Sequence, residues 1–239
     1  MAAHFKLSVD MFRILERIQP GFNIAPSQPV AIVREDAHSL HRELTHVHWG
    51  LIPGWAKDVS VGNRMINARS ETAAVKQGYR GAMKYRRCLI PATGFYEWQK
   101  LIDGKTRQAM YIHRQFNRED GAGSADGDDV ESELFALAGL WEHWQGPGGE
   151  EVESCTVLTT QPNELMKPIH DRMPVILRPA DYARWLSTKV QDGDAVVDLL
   201  RPCDAEGWQA RPVSSYVNSP RNDGPRCTKE VGRQGGLFE

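Results

Sequence analysis

The sequence has no long apolar run. None of its hydrophobic stretches approaches the roughly 20 residues that a bilayer-crossing helix needs, and the opening MAAHFKLSVD lacks the basic-then-apolar layout of a secretory leader. An intracellular, cytoplasmic protein without a membrane partner is therefore expected. Cysteine is scarce: Cys88, Cys155, Cys203 and Cys227 lie far apart, with neither the paired spacing of a zinc site nor the density of a secreted disulfide scaffold. They read as free thiols that pack as small hydrophobes. A glycine-rich phosphate loop and a GxSxG nucleophile elbow are both missing, which speaks against P-loop and α/β-hydrolase chemistry. No HExxH or CxxC accompanies the i, i+2 pair His46 and His48, which could otherwise share a metal with His4, His38 or His41. No metal or other cofactor is expected. There is no internal repeat.

What is present is an ordinary globular composition, 41% hydrophobic and 25% charged over 239 residues, enough for one large domain with a real core. The net charge of -2 conceals an asymmetry. From Arg34 to Arg114 there are fourteen Lys and Arg against seven acids, whereas between Asn117 and Glu153 acids outnumber the single Arg118. The basic segment also carries Trp49, Trp55, Tyr79, Tyr85, Tyr96 and Trp98, a mixture that can hold a phosphate backbone and stack bases. A solvated charged face over an aromatic core accounts for the same composition equally well.

Ser8 as N-cap, followed by Met11, Phe12, Leu15 and Ile18 at helical spacing, predicts a short amphipathic helix stopped by Pro20-Gly21. Strands are predicted at Pro29 to Arg34, Leu44 to Leu51, Leu134 to Trp144, Cys155 to Thr160, Pro174 to Leu177 and Trp208 to Val213. Cys88 to Gln99 reads as one long strand interrupted by Pro91 and Gly94, and Asp103-Gly104 as a hairpin turn into Gln108 to His113. Helical turns are expected at Ser70 to Gln77, from Pro179 through Leu186, and at Ala195 to Leu200. Residues 117 to 129 read as a surface loop, and the tail 218 to 239 as loosely ordered. Strands that mostly follow one another without crossover helices predict a single α+β domain, residues 1 to 217, with a curved, largely antiparallel, barrel-like sheet flanked by short helices.

Three constellations could carry chemistry. Glu97, in Gly-Phe-Tyr-Glu-Trp, shares a strand face with Phe95 and Gln99, while Tyr96 and Trp98 face the other way. A carboxylate facing the core needs a partner or a raised pKa, the setting of a general acid or base; an acid satisfied by an arginine at the sheet edge is the bland alternative. In His170-Asp171-Arg172, imidazole and guanidinium share a face on an extended segment, with Asp171 pointing away. That would seat an anion beside a proton donor, or else be a capping histidine and a surface ion pair. Asn67 and Arg69 likewise share a face in Ile-Asn-Ala-Arg-Ser-Glu, a weaker signal.

Six ordered motifs carry a resemblance: FNIAP (22 to 26), WGLIP (49 to 53), INARSET (66 to 72), CLIPATGFYEW (88 to 98), FALAGLW (135 to 141) and HDRMP (170 to 174). Over residues 5 to 217 the chain resembles the SOS-response-associated peptidase (SRAP) family. The resemblance implies recognition of abasic sites in single-stranded DNA and at single-strand/double-strand junctions, with a thiazolidine crosslink between the opened sugar and an N-terminal cysteine exposed by methionine removal. It further implies that Asn67 positions the nucleophile and sugar, that Glu97 is an acid/base, and that His170 shuttles protons to the sugar oxygen. Arg69 and Arg172 would hold flanking phosphates, and Trp49 and the Pro26 loop would stack against or wedge bases. The chain departs from the pattern at its start: Ala2 occupies the cysteine's place and His4 that of an arginine. Binding by a monomer to abasic single-stranded DNA, with the covalent step crippled or altered, is the leading expectation. An autoproteolytic peptidase and a non-catalytic single-stranded DNA-binding module are the rivals.

Overall fold

A computed structural model describes residues 1–7, 21–36, 39–115 and 134–232. The expected helix from Ser8 and the expected loop at 117 to 129 lie outside the described residues, as does the end of the chain from 233. No helix among the described residues is long and apolar enough to cross a membrane.

Eleven strands among the described residues form two sheets, with few and short helices, so the chain is α+β as expected. The larger sheet runs β10 (Ile176–Leu177), β7 (Phe135–Gln145), β4 (Arg87–Ala92), β1 (Pro29–Glu35), β2 (Arg42–Trp49), β8 (Glu151–Thr160), β3 (Asn67–Arg69), with β9 (Met173–Pro174) beside β8. Because β7 also pairs with β8, from Gly139↔Val157 to Gln145↔Glu151, five strands close part of the way into a ring rather than a true barrel. Most pairings are antiparallel; β2 and β3 both run parallel to β8. The smaller sheet is β11 (Trp208–Pro212), β6 (Arg107–Arg114), β5 (Gly94–Lys100).

Strand alternation divides the core in two. Val33, Leu44, Leu89, Ala136, Ala138, Leu140 and Leu158 face one way, where Tyr182, Trp185 and Leu186 of the helix Tyr182–Leu186 cover them. Ile32, Val47, Cys88, Ile90, Leu137, Cys155 and Val157 face the ring interior, where Met110 and Ile112 of β6 join them. At one end of that interior Arg34 ion-pairs with Glu43 and Glu153 and lies over the Trp141 ring, 4.0 Å from its centroid. The four cysteines are free thiols, three of them buried.

Arg87 shows how far a buried charge can be satisfied without an acid. Its Nε donates to the Trp185 carbonyl (2.6 Å), Nη1 to those of Met83 (2.8 Å) and Lys84 (3.1 Å), and Nη2 to those of Ser187 and Val190 (both 2.7 Å). All five guanidinium donors meet backbone oxygens, four at the ends of the helices Arg80–Tyr85 and Tyr182–Leu186 and the fifth, Val190, in the turn that follows the second helix.

Two sequence expectations are corrected. The segment from Cys88 to Gln99 is not one interrupted strand: β4 ends at Ala92, the chain turns at Thr93, and β5 starts at Gly94 in the other sheet. The chain beyond Asn218, expected to be loosely ordered, is packed as far as Glu230. Cys227 is buried, Glu230 bridges to Val213, and Asn23 Nδ2 donates to the carbonyls of Val217, Ser219 and Asn222.

The corner at Thr93 needs a residue without a side chain. A Cβ at Gly94 would lie 2.2 Å from Tyr111 Cζ. Gly94→Ala is expected to cost about 2 kcal/mol or more, read by urea unfolding. Gly104, in the hairpin turn at φ +66° with open space around it, is the control: Gly104→Ala should cost only about 1 kcal/mol, from backbone strain. Equal losses at the two sites would mean that the corner is not sterically set.

Candidate functional site

Where the two sheets meet, a cleft of about 980 Å³ opens, lined among others by Pro26, Trp49, Asn67, Glu97, Pro174 and Arg211. Each wall residue is held by a local feature of its sequence. Pro26 sits in an exposed turn in which the Gln28 side chain accepts from Ala25 N–H (2.9 Å) and Ser27 N–H reaches the Trp49 carbonyl (2.8 Å). Trp49 is half-buried at the end of β2, and its indole Nε1 donates to the Ile66 carbonyl at 2.9 Å, which ties the WGLIP motif to INARSET. In β3 the buried Ala68 anchors the strand and leaves Asn67 and Arg69 exposed on the other side; Asn67 lines the cleft, and Arg69 lies outside its lining.

Glu97 lies on the face of β5 turned toward the ring interior, with its side chain only 22% exposed. Its Oε2 is 3.9 Å from His170 Nε2. Burial pushes the carboxyl above its ordinary value, and the nearby imidazole and the Trp98 N–H pull it only part of the way back. His170 ends a helical turn whose Met166 and Ile169 are buried in the interior cluster, and Met166 O accepts its N–H at 2.9 Å. The other ring nitrogen, Nδ1, accepts from Arg172 N–H at 3.1 Å and lies 3.3 Å from Asp171 Oδ1. Asp171 is 88% exposed but, contrary to the strand-based expectation, touches the imidazole. The ring thus stands between a buried carboxylate and an exposed one.

Arg172 is committed elsewhere. Nη1 and Nη2 grip the two Glu71 oxygens at 2.7 and 2.8 Å, and Nη2 also donates to the Thr159 carbonyl at 2.5 Å. This pairing holds the Glu71 carboxyl below its usual range. The surface-ion-pair alternative is the geometry found here, and it braces the HDRMP turn against the helix Ser70–Ala73 that follows β3. The short helix Ala2–Phe5 sets Phe5 on Tyr182 (5.5 Å between centroids) in the core on the outer side of the ring, while Arg42 holds the Phe5 carbonyl. Among the described residues no group of three His, Cys, Asp or Glu is placed to hold a metal.

The sequence reading missed the outer wall of the cleft. Tyr96 donates its hydroxyl to the Phe22 carbonyl (2.7 Å), and Trp98 Nε1 donates to Asn218 Oδ1 (2.8 Å), so β5 carries the FNIAP loop and the chain near 218 as rigid rims. The signal was available in the outward alternation of Tyr96 and Trp98, two aromatics whose polar tips need partners.

Glu97 predicts a pH dependence. Its folded pKa exceeds the unfolded one, so the folded state binds more protons in the window between the two values, and stability falls as pH rises through it. Glu97→Gln should abolish that slope and leave the protein as stable or about 1 kcal/mol more stable at neutral pH. Thermal unfolding from acid to neutral pH checks this; an unchanged slope would remove Glu97 as its source.

With this geometry in place, the relatives are informative. Residues 2–220 match the family model for SOS response associated peptidase (SRAP). The chain is 42% identical over 220 residues to the abasic site processing protein YoqW of Bacillus subtilis, covering 92% of this chain and 90% of that one. It is 36% identical to the abasic site processing protein HMCES of Gallus gallus, covering 88% of this chain and 66% of the relative. Among solved structures, a protein from Bacteroides thetaiotaomicron superposes with a TM-score of 0.76 at 24% identity, covering 96% and 94% of the two chains, and shares the fold. With a family model matched over residues 2–220 and relatives at 36 and 42% identity, the chain belongs to the SOS response associated peptidase family.

Proposed function

We propose that this chain recognises an abasic site in single-stranded DNA inside the cell and shields it in the cleft between the sheets, without a covalent bond through residue 2. The observation that carries the reading is the Glu97 and His170 pair, 3.9 Å apart, at a cleft walled by Trp49, Pro26 and Asn67. The names of the relatives, abasic site processing proteins, support it.

A nucleotide without a base leaves room in the stack and presents a sugar that interconverts between a closed hemiacetal and an open aldehyde. Opening breaks the C1′–O4′ bond, takes the proton from the C1′ hydroxyl and gives one to O4′. Glu97, ionised, takes the first; His170 supplies the second; the proton then passes from Oε2 to Nε2, so nothing is consumed. The raised pKa of Glu97 suits it to accept a proton reversibly. Asn67 offers its amide to the sugar oxygens, Trp49 and Pro26 stack on neighbouring bases, and the exposed Arg69 offers a phosphate contact. Arg172 acts through its brace to Glu71, as a positioning residue for His170. Ala2 favours binding over crosslinking because it has no thiol.

Fluorescence anisotropy with matched abasic and intact single-stranded oligonucleotides is the test. Preference for the abasic strand by about tenfold, or 1.4 kcal/mol, is expected, with no borohydride-trapped adduct. Equal affinity for both strands would leave a general single-strand binder. Ala2→Cys should give a heat-stable adduct with the abasic strand; no adduct would mean that a thiol at position 2 does not reach the seated sugar.

A further inference from the structure

We infer that a second chamber of the cleft, on the outer face of the smaller sheet and centred on Arg211, holds a backbone phosphate of the strand flanking the seated nucleotide; the inference rests on the DNA-binding reading above. The sheet register sets Arg211, Tyr111 and Tyr96 in one row and Gln209, His113 and Gly94 in the next. By alternation all six lie on the face opposite to Glu97, yet all six line the same cavity. The cavity therefore wraps around β5, an edge strand of its sheet. It can do so because Gly94 leaves the edge low.

Past that edge the wall is aromatic and cationic. The His113 ring stacks on Tyr111 at 5.2 Å and 22°, and Tyr96 tilts against it at 5.2 Å. The Arg211 guanidinium lies 5.3 Å from the Tyr111 ring centroid. Its Nε is buried with no hydrogen-bond partner, and Arg211 joins no ion pair among the described residues. Arg172 also has a buried Nε without a partner, but its terminal nitrogens are taken by Glu71. The acid acting on this wall is Asp223, near enough to affect Tyr96, and its Oδ1 is taken by Phe22 N–H (2.6 Å) and Gly224 N–H (2.9 Å). A half-buried cation that lines the cavity and joins no ion pair among the described residues, beside the Gln209 amide and a stack of rings, suits a phosphodiester oxygen followed by a stacking base. Nucleic acid reaching this chamber from the Glu97 side must pass over Gly94, so the bound strand bends around the edge of the sheet.

The test compares Arg211→Gln and Arg211→Lys with the unmodified chain by anisotropy over a salt series, on an abasic trinucleotide and on an abasic strand of about fifteen nucleotides. Arg211→Gln should weaken the longer strand about tenfold and lower its log K against log salt slope by about 0.7, the loss of one phosphate contact on a single strand. Arg211→Lys should keep the slope, and the trinucleotide should bind all three proteins alike. Unchanged slope for Arg211→Gln on the longer strand, with binding otherwise intact, would overturn the outer chamber and leave the DNA-binding reading standing. An equal loss on both lengths would assign Arg211 to the fold and also overturn it. No binding of either strand by the unmodified chain would overturn both readings together.

Discussion

The close approach of the Tyr111 ring to the bare backbone of Gly94 is the constraint on which the site depends. It lets one continuous segment leave the larger sheet at Ala92 and enter the smaller one at Gly94 with a single residue between. With a longer connection the two sheets would be joined by a loop, and their relative placement would rest on packing alone. With this corner, the inward face of β5 is pressed against the ring interior, and Glu97 is carried with it into a partly dehydrated position. The cleft exists because the sheets diverge from that shared edge.

Placing a carboxylate there has an electrostatic cost, and the surrounding residues reduce it without cancelling it. His170 stands close enough to help, but at 3.9 Å it makes no tight hydrogen bond, so burial still holds the carboxyl above its ordinary value. A bidentate arginine in the same place would have fixed Glu97 as an anion. The structure spends its bidentate arginine one step further out: Arg172 grips Glu71, which fixes the backbone that orients the imidazole. The two pairs differ in grip, one loosely held at 3.9 Å, the other bidentate and rigid.

Much of this was legible in the sequence where the signal is local. Period-two alternation placed Glu97 opposite Tyr96 and Trp98, and Asp103-Gly104 marked the hairpin that pairs β5 with β6. The motifs that carry the resemblance single out Asn67, Glu97 and His170; Asn67 and Glu97 line the cleft, and His170 lies 3.9 Å from Glu97. What was not legible depends on distance along the chain. Pro91 and Gly94 look alike whether a strand is bulged or changes sheets, since both need a break in the ladder. That Arg172 would be taken by Glu71, 101 residues away, has no local mark. The chain past Asn218 reads as a polar, glycine- and proline-rich tail, yet the buried amide of Asn23 gathers the carbonyls of Ser219 and Asn222, with that of Val217 just before them, and fastens it. That Phe5 would stack on Tyr182, far along the chain, likewise has no local mark.

Arg87 has a consequence for how this fold opens. Its guanidinium belongs to a strand, but four of the five carbonyls it satisfies belong to the ends of two helices about a hundred residues apart in sequence. Helix ends ordinarily fray one at a time, because water can take over each freed carbonyl. Here release of either end strands a buried cation, so fraying is coupled to movement of the strand itself. Both helices are thereby enlisted in the cooperative unit of the sheet, and the wall behind the cleft gives way all at once or stays shut.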